Sequence, residues 1–285
     1  MPHSIFAGIV GEKKYVQPVL NQAFDLSRKL NCDFLFVKQP PISYYNTTLN
    51  EYSMIKTQDM LDQYVILDSP EILWNKLHRS CLKSIIKANR NKVKIRTIDN
   101  KKEIDKVYNL KLILDKRLGL GPLSKKYFIN LWEKLYSKNL LEIFLAEKDG
   151  VALSFDIFLK FKNRMLGIAN APSEQGRKLL ANHLLIWEAM KWGYNNGYQI
   201  LDLGSTPGYF KNGSVNQSDG LFKFKFYFGC CSTKYSYFYY PNEMDLNNID
   251  KDNMLLYKLG KKFFKKTPIC ISKKAGPIAN RLFYE

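Results

Sequence analysis

Residues 140–160 constrain the fold more than any other segment. Leu140–Lys148 reads LLEIFLAEK, a compact strand pattern, and Val151–Lys160 is a second strand of similar length. Asp149-Gly150 lies between them. This dipeptide tolerates the positive φ values that a two-residue turn needs, so the segment reads as an antiparallel hairpin. Lys162-Asn163-Arg164 makes a further turn, and Met165–Ala169 is the next strand. Two helical patterns precede the hairpin, Lys101–Leu118 and Ser124–Lys138, joined by Gly119-Leu120-Gly121-Pro122. After it come a long apolar helix, Leu179–Asn195, stopped by Asn196-Gly197, and the strand Tyr198–Leu203. Residues 204–219 are rich in Gly, Ser and Asn and read as irregular. Leu221–Phe228 and Ser232–Tyr240 read as aromatic-rich strands. This order describes an α/β (α+β) fold around a mixed, mainly antiparallel sheet, not a repeating βαβ array. A dinucleotide fingerprint, a P-loop and a G-x-S-x-G elbow are all absent from the sequence.

The first hundred residues read as a smaller set of elements. Ile5–Val10 is a short strand, Val16–Leu30 a helix, Asp33–Val37 a strand, Tyr44–Asp59 a polar loop or weak strand, and Tyr64–Leu67 a strand. Asp68-Ser69-Pro70-Glu71 is a helix start, with an N-cap, a first-turn proline and an early acid. The spacing predicts one amphipathic helix over 69–91. On it Lys76, Arg79, Lys83, Lys87 and Arg90 fall within an arc of about 80°, opposite Trp74, Leu77, Cys81, Ile85 and Ala88. Between Ser69 and Arg96 there are eight basic residues and one acid. Two readings stand: a solvated face, or a surface that holds an anionic partner.

Charge across the whole chain leaves the same choice open. The 44 basic residues against 26 acidic ones give +18, but 36 of the 44 are lysine and there are 23 asparagines. Such a bias arises from an AT-rich genome as readily as from function, so the positions of the charges carry more than their number. Apolar residues are spread throughout, which excludes a disordered chain. The sequence has no run long enough for a transmembrane helix and no signal-peptide pattern. The five cysteines are scattered without metal spacing and are expected to be reduced thiols; the three histidines do not cluster, so no metal is expected. The stretch 253–274 holds seven lysines and no acid beside Leu255, Leu256, Leu259, Phe263 and Phe264. It suits packing on the body of the protein or contact with an anionic membrane surface.

The C-terminal half carries a resemblance. Asp202-Leu203-Gly204-Ser205, a loop, and then Gly220-Leu221-Phe222-Lys223-Phe224-Lys225-Phe226-Tyr227-Phe228-Gly229 resembles the C-terminal signature of the FemAB/FemX family, a D-x-G strand end followed by G-L-x-x-F-K-x-x-F-G. Asn182-His183-Leu184-Leu185-Ile186-Trp187-Glu188, with Gly197, is similar to the family helix before that strand. Leu82–Val93 is similar to the link between the family's two acetyltransferase-like halves, and the segment from Arg117-Leu118-Gly119 to Phe128 resembles the subgroup found near exopolysaccharide and exosortase loci.

The resemblance implies two GNAT-like (acyl-CoA N-acyltransferase-like) lobes with mixed sheets. The lobes are expected at 1–97 and 98–246, with the basic tail 247–285 returning to the first. The segment at Ile5–Gly11 is similar to a strand well inside the family's first domain, so the first lobe is expected to be shortened. It implies an acyl- or aminoacyltransferase forming an amide on an amine of a peptidoglycan or surface-polysaccharide precursor. The donor would be aminoacyl-tRNA or acyl-CoA, with no bound cofactor. The location would be cytoplasmic, with peripheral contact at the inner membrane face. The alternatives are a non-catalytic anion- or RNA-binding protein on a degraded transferase scaffold, and a CoA-dependent N-acetyltransferase. Against the last, the phosphate-binding loop of such enzymes needs a glycine where Arg177-Lys178-Leu179-Leu180 presents Leu180.

By the same resemblance Lys225 stands near the reacting ester as oxyanion donor. Asp202 orients the amine or takes its proton, and the substrate is held by Lys223, Gly204, Ser205, Asn182 and Trp187. If 221–228 is a strand, Lys223 and Lys225 share one face and the phenylalanines the other. Lys76, Arg79, Lys83, Lys87 and Arg90 are the expected anion-binding set.

Overall fold

The computed structural model describes residues 8–9, 11–32, 34–38, 49–207, 210–211, 214–215, 220–240 and 255–284. The strand expected at Ile5–Val10 lies mostly outside these residues, as do residues 44–48 of the polar stretch, parts of 204–219, and the first part of the tail, 247–254.

In chain order the elements are α1 (Val16–Lys29), β1 (Leu35–Lys38), β2 (Ile55–Ile66), α2 (Pro70–Lys76), α3 (Arg79–Arg90), β3 (Lys94–Thr97), α4 (Ile104–Leu118) and α5 (Lys125–Leu131). Then follow β4 (Leu141–Lys148), β5 (Val151–Phe161), β6 (Arg164–Asn170), α6 (Glu174–Lys178), α7 (Ala181–Asn195) and β7 (Ile200–Pro207). The chain continues with β8 (Phe210–Lys211), β9 (Ser214–Val215), α8 (Gly220–Phe226), β10 (Cys231–Tyr240), α9 (Leu255–Lys266) and α10 (Ile269–Tyr284).

These elements form two compact units interleaved along the chain. The smaller comprises residues 1–63, 205–223 and 232–254; the larger comprises 64–204, 224–231 and 255–285. In the smaller unit β1 pairs antiparallel with β10, from Leu35 opposite Tyr240 to Lys38 opposite Tyr237. Its core gathers Val16, Leu20 and Phe24 of α1 with Val37, Leu49, Met54 and Phe238.

The larger unit is built on the hairpin. Asp149 and Gly150 both have positive φ (51° and 79°), as the two-residue turn requires. The strands run in the order β7-β6-β5-β4-β3, antiparallel except for the parallel pair β6 and β7. One face is covered by α3 and α7, which share a core with Phe144 and Phe158 of the sheet. The other holds Ile104, Val107 and Leu110 of α4 with Phe128 of α5, against Ile143, Phe155 and Ile157. The fully buried aliphatic side chains here, Leu73, Ile85 and Ile104 among them, each contribute about 1.5–3 kcal/mol by leaving water.

The boundary expected near 97/98 falls inside this larger unit. Leu73, Leu77, Cys81, Ile85 and Ala88 of α2–α3 and their connection pack into one core with Leu184, Leu185, Ala189 and Met190 of α7. The described tail helices also belong to it, whereas residues 1–97 were their expected seat. Asn280 Nδ2 donates to the carbonyls of Gly121 (2.9 Å) and Pro122 (3.2 Å), and the Phe264 ring closes on Gly121.

Two elements differ from the sequence reading. The single helix expected over 69–91 is broken. Leu77 leaves the helix with ψ 138° and is buried, and His78 caps α3, its Nδ1 accepting from the Ser80 N–H at 3.2 Å. Lys76 is thereby separated from the other four cations. Leu221–Phe228 is not a strand. Residues 220–226 form α8, and burial follows a helical spacing: Phe222, Lys225 and Phe228 are buried while Lys223 and Phe226 are exposed. Phenylalanine at every second position imitates a strand, but three-residue spacing of the buried groups is what one side of a helix shows. Lys223 and Lys225 therefore point about 200° apart around the helix axis instead of sharing a face.

Candidate active site

A cluster of polar side chains lies inside the larger unit, drawn from the middle of β5, the end of β6, the first half of β7, the start of α7 and the last turn of α8. Its frame is the Asp202–Gly204 stretch of β7. Asp202 is fully buried, and its Oδ2 accepts from Arg164 Nε (3.1 Å) and Nη2 (2.7 Å). Its Oδ1 accepts from the Gly204 N–H at 2.7 Å. Gly204 has φ +76°, a left-handed value that glycine adopts at little cost. The turn aims the Gly204 carbonyl at Lys225, whose Nζ donates to it at 2.7 Å with the side chain only 6% exposed.

The second part is built on β5. Asp156, in the middle of a mostly apolar strand, is 5% exposed. The β5–β6 ladder shifts register between Ile157 and Phe158, a bulge that sets Asn170 opposite Asp156. Asn170 Nδ2 donates to Asp156 Oδ2 at 3.2 Å and to Asn182 Oδ1 at 3.0 Å. Asn182 Nδ2 returns a bond to Asn170 Oδ1 at 2.8 Å, and Ser154 Oγ donates to Asn182 Oδ1 at 2.5 Å. Burial pushes the Asp156 carboxyl up to about 8, opposed by the Asn170 amide, the Lys225 charge and the Ile157 N–H. His183, next to Asn182, is lowered by burial; it sits edge-on to Phe224, with ring centroids 5.1 Å apart.

The parallel ladder of β6 and β7 spans three pairs, from Arg164–Ile200 to Leu166–Asp202. Just beyond its end the Gly204 carbonyl receives Lys225, whose charge acts on Asp156, the partner of Asn170. Ligands of open α/β sheets bind at the carboxyl ends of strands. A buried cation beside a carboxyl that titrates near neutrality is the pairing acyl transfer uses: one stabilises a developing oxyanion, the other moves a proton.

The structure thus brings together Lys225, Gly204 and Asp202, and joins Asn182 to the cluster through Asn170 and Asp156. The remaining expected residues lie elsewhere. Lys223 is exposed on α8. Ser205 belongs to the smaller unit, where its hydroxyl bonds the Tyr235 hydroxyl. Trp187 is a core residue of α7, edge-on to Trp74 with centroids 5.1 Å apart. Arg79, Lys83, Lys87 and Arg90 line the exposed side of α3, still within about 80° of arc, while Lys76 on α2 reaches Asp68 at 3.6 Å. A separate depression of about 420 Å³, bounded by Arg96, Phe144, Glu188, Lys191 and Trp192, includes none of the cluster. Among the described residues no group of His, Cys, Asp and Glu has metal-binding geometry.

Asp156 is the residue that the sequence reading passed over. Its signal was present: an acid in the middle of VALSFDIFLK, two residues from Ser154 on the same side of a strand. Leu180, singled out in the sequence, caps α7 at φ 59°, a left-handed conformation that a leucine adopts at a cost of about 1–2 kcal/mol.

The shift at Asp156 has a consequence for stability. The folded protein holds a proton that the unfolded carboxyl releases near its ordinary value of 3.8. Stability therefore falls as pH rises from about 4 towards about 8. Asp156→Asn keeps the shape and removes the proton, so the variant is expected to melt higher than wild type at pH 8–9, by on the order of a few kcal/mol, and alike at pH 4. Thermal melts across this range check it; parallel curves for the two proteins would contradict it.

Comparison with known proteins places this geometry. Residues 76–212 match the acetyltransferase (GNAT) domain model; Lys225 lies beyond the matched segment. No curated protein matches the sequence. FemX is similar in structure with a TM-score of 0.65 at 15% identity, over 84% of this chain and 79% of FemX. The C-terminal domain of a putative lysylphosphatidylglycerol synthetase from Agrobacterium fabrum gives 0.58 at 13% identity, over 84% of this chain and 77% of that domain. L-PGS from Bacillus licheniformis gives 0.57 at 11% identity, over 90% of this chain and 81% of that chain. The match to the acetyltransferase (GNAT) domain model thus lies within a fold similar to that of FemX.

Proposed function

We propose that the protein is a FemX-like N-acyltransferase that forms an amide on an amine of a cell-envelope precursor, with an aminoacyl-tRNA as donor. The observation that carries this reading is the buried Lys225, held on the Gly204 carbonyl at 2.7 Å, with its charge acting on the buried carboxyl of Asp156. In the reaction the acceptor nitrogen attacks the ester carbonyl carbon of the donor. Lys225 turns from the Gly204 carbonyl to the developing oxyanion. Asp156, ionised, takes a proton from the nitrogen; the ester C–O bond breaks, and Asp156 returns that proton to the departing ribose oxygen, which restores the carboxylate. Asp202 touches no reacting atom in this scheme. Both its oxygens are committed to Arg164 and Gly204, and it acts as a positioning residue for the carbonyl that holds Lys225.

The choice of donor rests on two features. Leu180 fills the place where a CoA pyrophosphate would approach the backbone, which disfavours acyl-CoA. The α3 face offers Arg79, Lys83, Lys87 and Arg90 to a polyanion. The similarity to a lysylphosphatidylglycerol synthetase, whose name joins an amino acid to an envelope lipid, supports the same class of donor and acceptor. The reaction would take place on the cytoplasmic side, where aminoacyl-tRNA is made.

Lysine-rich contacts bind phosphate as point charges, so binding should tolerate sequence and weaken steeply with salt. Lys83→Glu with Lys87→Glu is expected to weaken tRNA binding at least ~10-fold at low salt and to reduce the salt slope, while both exposed positions leave the melting temperature within about 2 °C. A salt titration of tRNA binding checks this. Equal affinities and slopes would make the face a solvated one. A donor comparison tests the function itself: transfer from charged tRNA, and not from acetyl-CoA, is the expected outcome, and the reverse would establish the CoA-dependent alternative.

A further inference from the structure

The tail helices carry a feature that the transfer reaction does not use. From Leu255 to Tyr284 there are eight basic residues and no acid. One side of α9 and α10 is committed to the body of the larger unit: Phe264, Thr267, Ser272, Gly276 and Asn280 are buried. The exposed residues beside them are apolar and cationic together. Leu259 (52% exposed) and Phe263 (48%) stand one turn apart on α9, flanked by exposed Lys258, Lys262 and Lys266. Leu259, Lys262, Phe263, Lys266 and Thr267 line a shallow depression of about 410 Å³. On α10 Ile271 (50%) and Ile278 (62%) lie two turns apart with exposed Lys274 between them. Lys258, Lys262, Lys265, Lys266 and Lys274 make no ion pair among the described residues.

We propose that this face of α9–α10 docks the protein on a bilayer containing anionic lipid. Ammonium groups alone would suit any polyanion. Exposed leucine, phenylalanine and isoleucine side chains interleaved with them gain nothing from phosphates in solution, but do gain from entering the boundary between headgroups and acyl chains. The lysine stems lie along the apolar rows and can reach up to headgroup phosphates while the rings and branched chains descend. Neither helix is long and apolar enough to cross a membrane, so the attachment is peripheral and reversible. The inference is independent of the acyl donor and of Lys225.

The test is vesicle flotation of the full chain, with phosphatidylcholine vesicles and with vesicles in which about a third of the lipid is phosphatidylglycerol. Wild type is expected on the anionic vesicles only, with binding weakened by salt. Lys262→Glu with Lys266→Glu is expected to lower partitioning by at least ~10²-fold, since four units of charge change near the surface. Leu259→Ser with Phe263→Ser should lower it at least ~10-fold at unchanged charge. If the second pair fails to fold, Leu259→Ser alone, judged by its thermal melt, serves in its place. A single-stranded RNA added as competitor separates the polyanion reading. Equal binding to both vesicle types, or loss in the lysine variant with none in the apolar variant, would overturn the proposal. So would RNA binding through these residues without flotation.

Discussion

Lys225→Ala is expected to reduce transfer by on the order of 10²–10³-fold, the usual effect of deleting one oxyanion donor. The loss should fall on the chemical step, so single-turnover rates drop while affinity for the donor, which the proposed function places on α3, stays put. The structure adds a second expectation. Lys225 Nζ is the donor to the buried Gly204 carbonyl at 2.7 Å, and alanine leaves that oxygen without it. An unsatisfied buried acceptor costs about 1–3 kcal/mol, so the variant should fold but melt a few degrees lower. Lys225→Arg should not restore the rate, because a forked guanidinium has no room at a position 6% exposed. Normal single-turnover transfer by a folded Lys225→Ala protein would remove the residue from the reaction.

The largest stability effect is expected at Arg164. Its guanidinium makes two hydrogen bonds to the carboxylate of Asp202, which is fully buried. Arg164→Met leaves that charge unpaired, and breaking a buried pair from one side costs about 3–5 kcal/mol. For a protein of this size that is a fall in melting temperature on the order of 10 °C. Asp202→Asn in the same background removes the orphaned charge and retains an acceptor for the Gly204 N–H, so the double variant should recover most of the loss. Thermal melts of the two variants decide it; a double variant as unstable as the single one would mean that the pair is not what holds this turn.

Much of this architecture was legible from local chemistry. The Asp-Gly hairpin, the helix pair before it and, after it, β6, the long helix α7 and the strand β7 follow from turn residues and hydrophobic period, and appear where the sequence puts them. Motif resemblance points to Lys225, Asp202, Gly204 and Asn182, but not to Asp156, Asn170 or Arg164. Asp156 becomes a partner of Asn170 only through a bulge between Ile157 and Phe158, and a one-residue register shift leaves no mark in a single sequence. The identity of α8 was lost for a similar reason. Phe222, Phe224, Phe226 and Phe228 satisfy a two-residue period, and only tertiary burial of Phe222, Lys225 and Phe228 chooses the helix. The break at Leu77–His78 depends on His78 donating its N–H to the Tyr227 carbonyl (2.9 Å), a residue 149 positions away. The placement of the tail on Gly121 and Pro122 is likewise a long-range choice that an amphipathic pattern cannot specify.

The pairing of Lys225 with Asp156 is the centre of the account, and the dependence of rate on pH tests it most directly. Single-turnover transfer should be followed from pH 6 to 9.5 for wild type, Asp156→Asn and Lys225→Ala, with the donor that supports turnover. Wild type should speed up with pH through an apparent pKa near 8, the value burial gives the Asp156 carboxyl. Asp156→Asn should be slower by about 10²-fold and flat across that range. Lys225→Ala should be slow with the limb still present. A wild-type limb near pH 8 that survives unchanged in Asp156→Asn would contradict the assignment, and with it the proposal that this buried pair is where the amide is made.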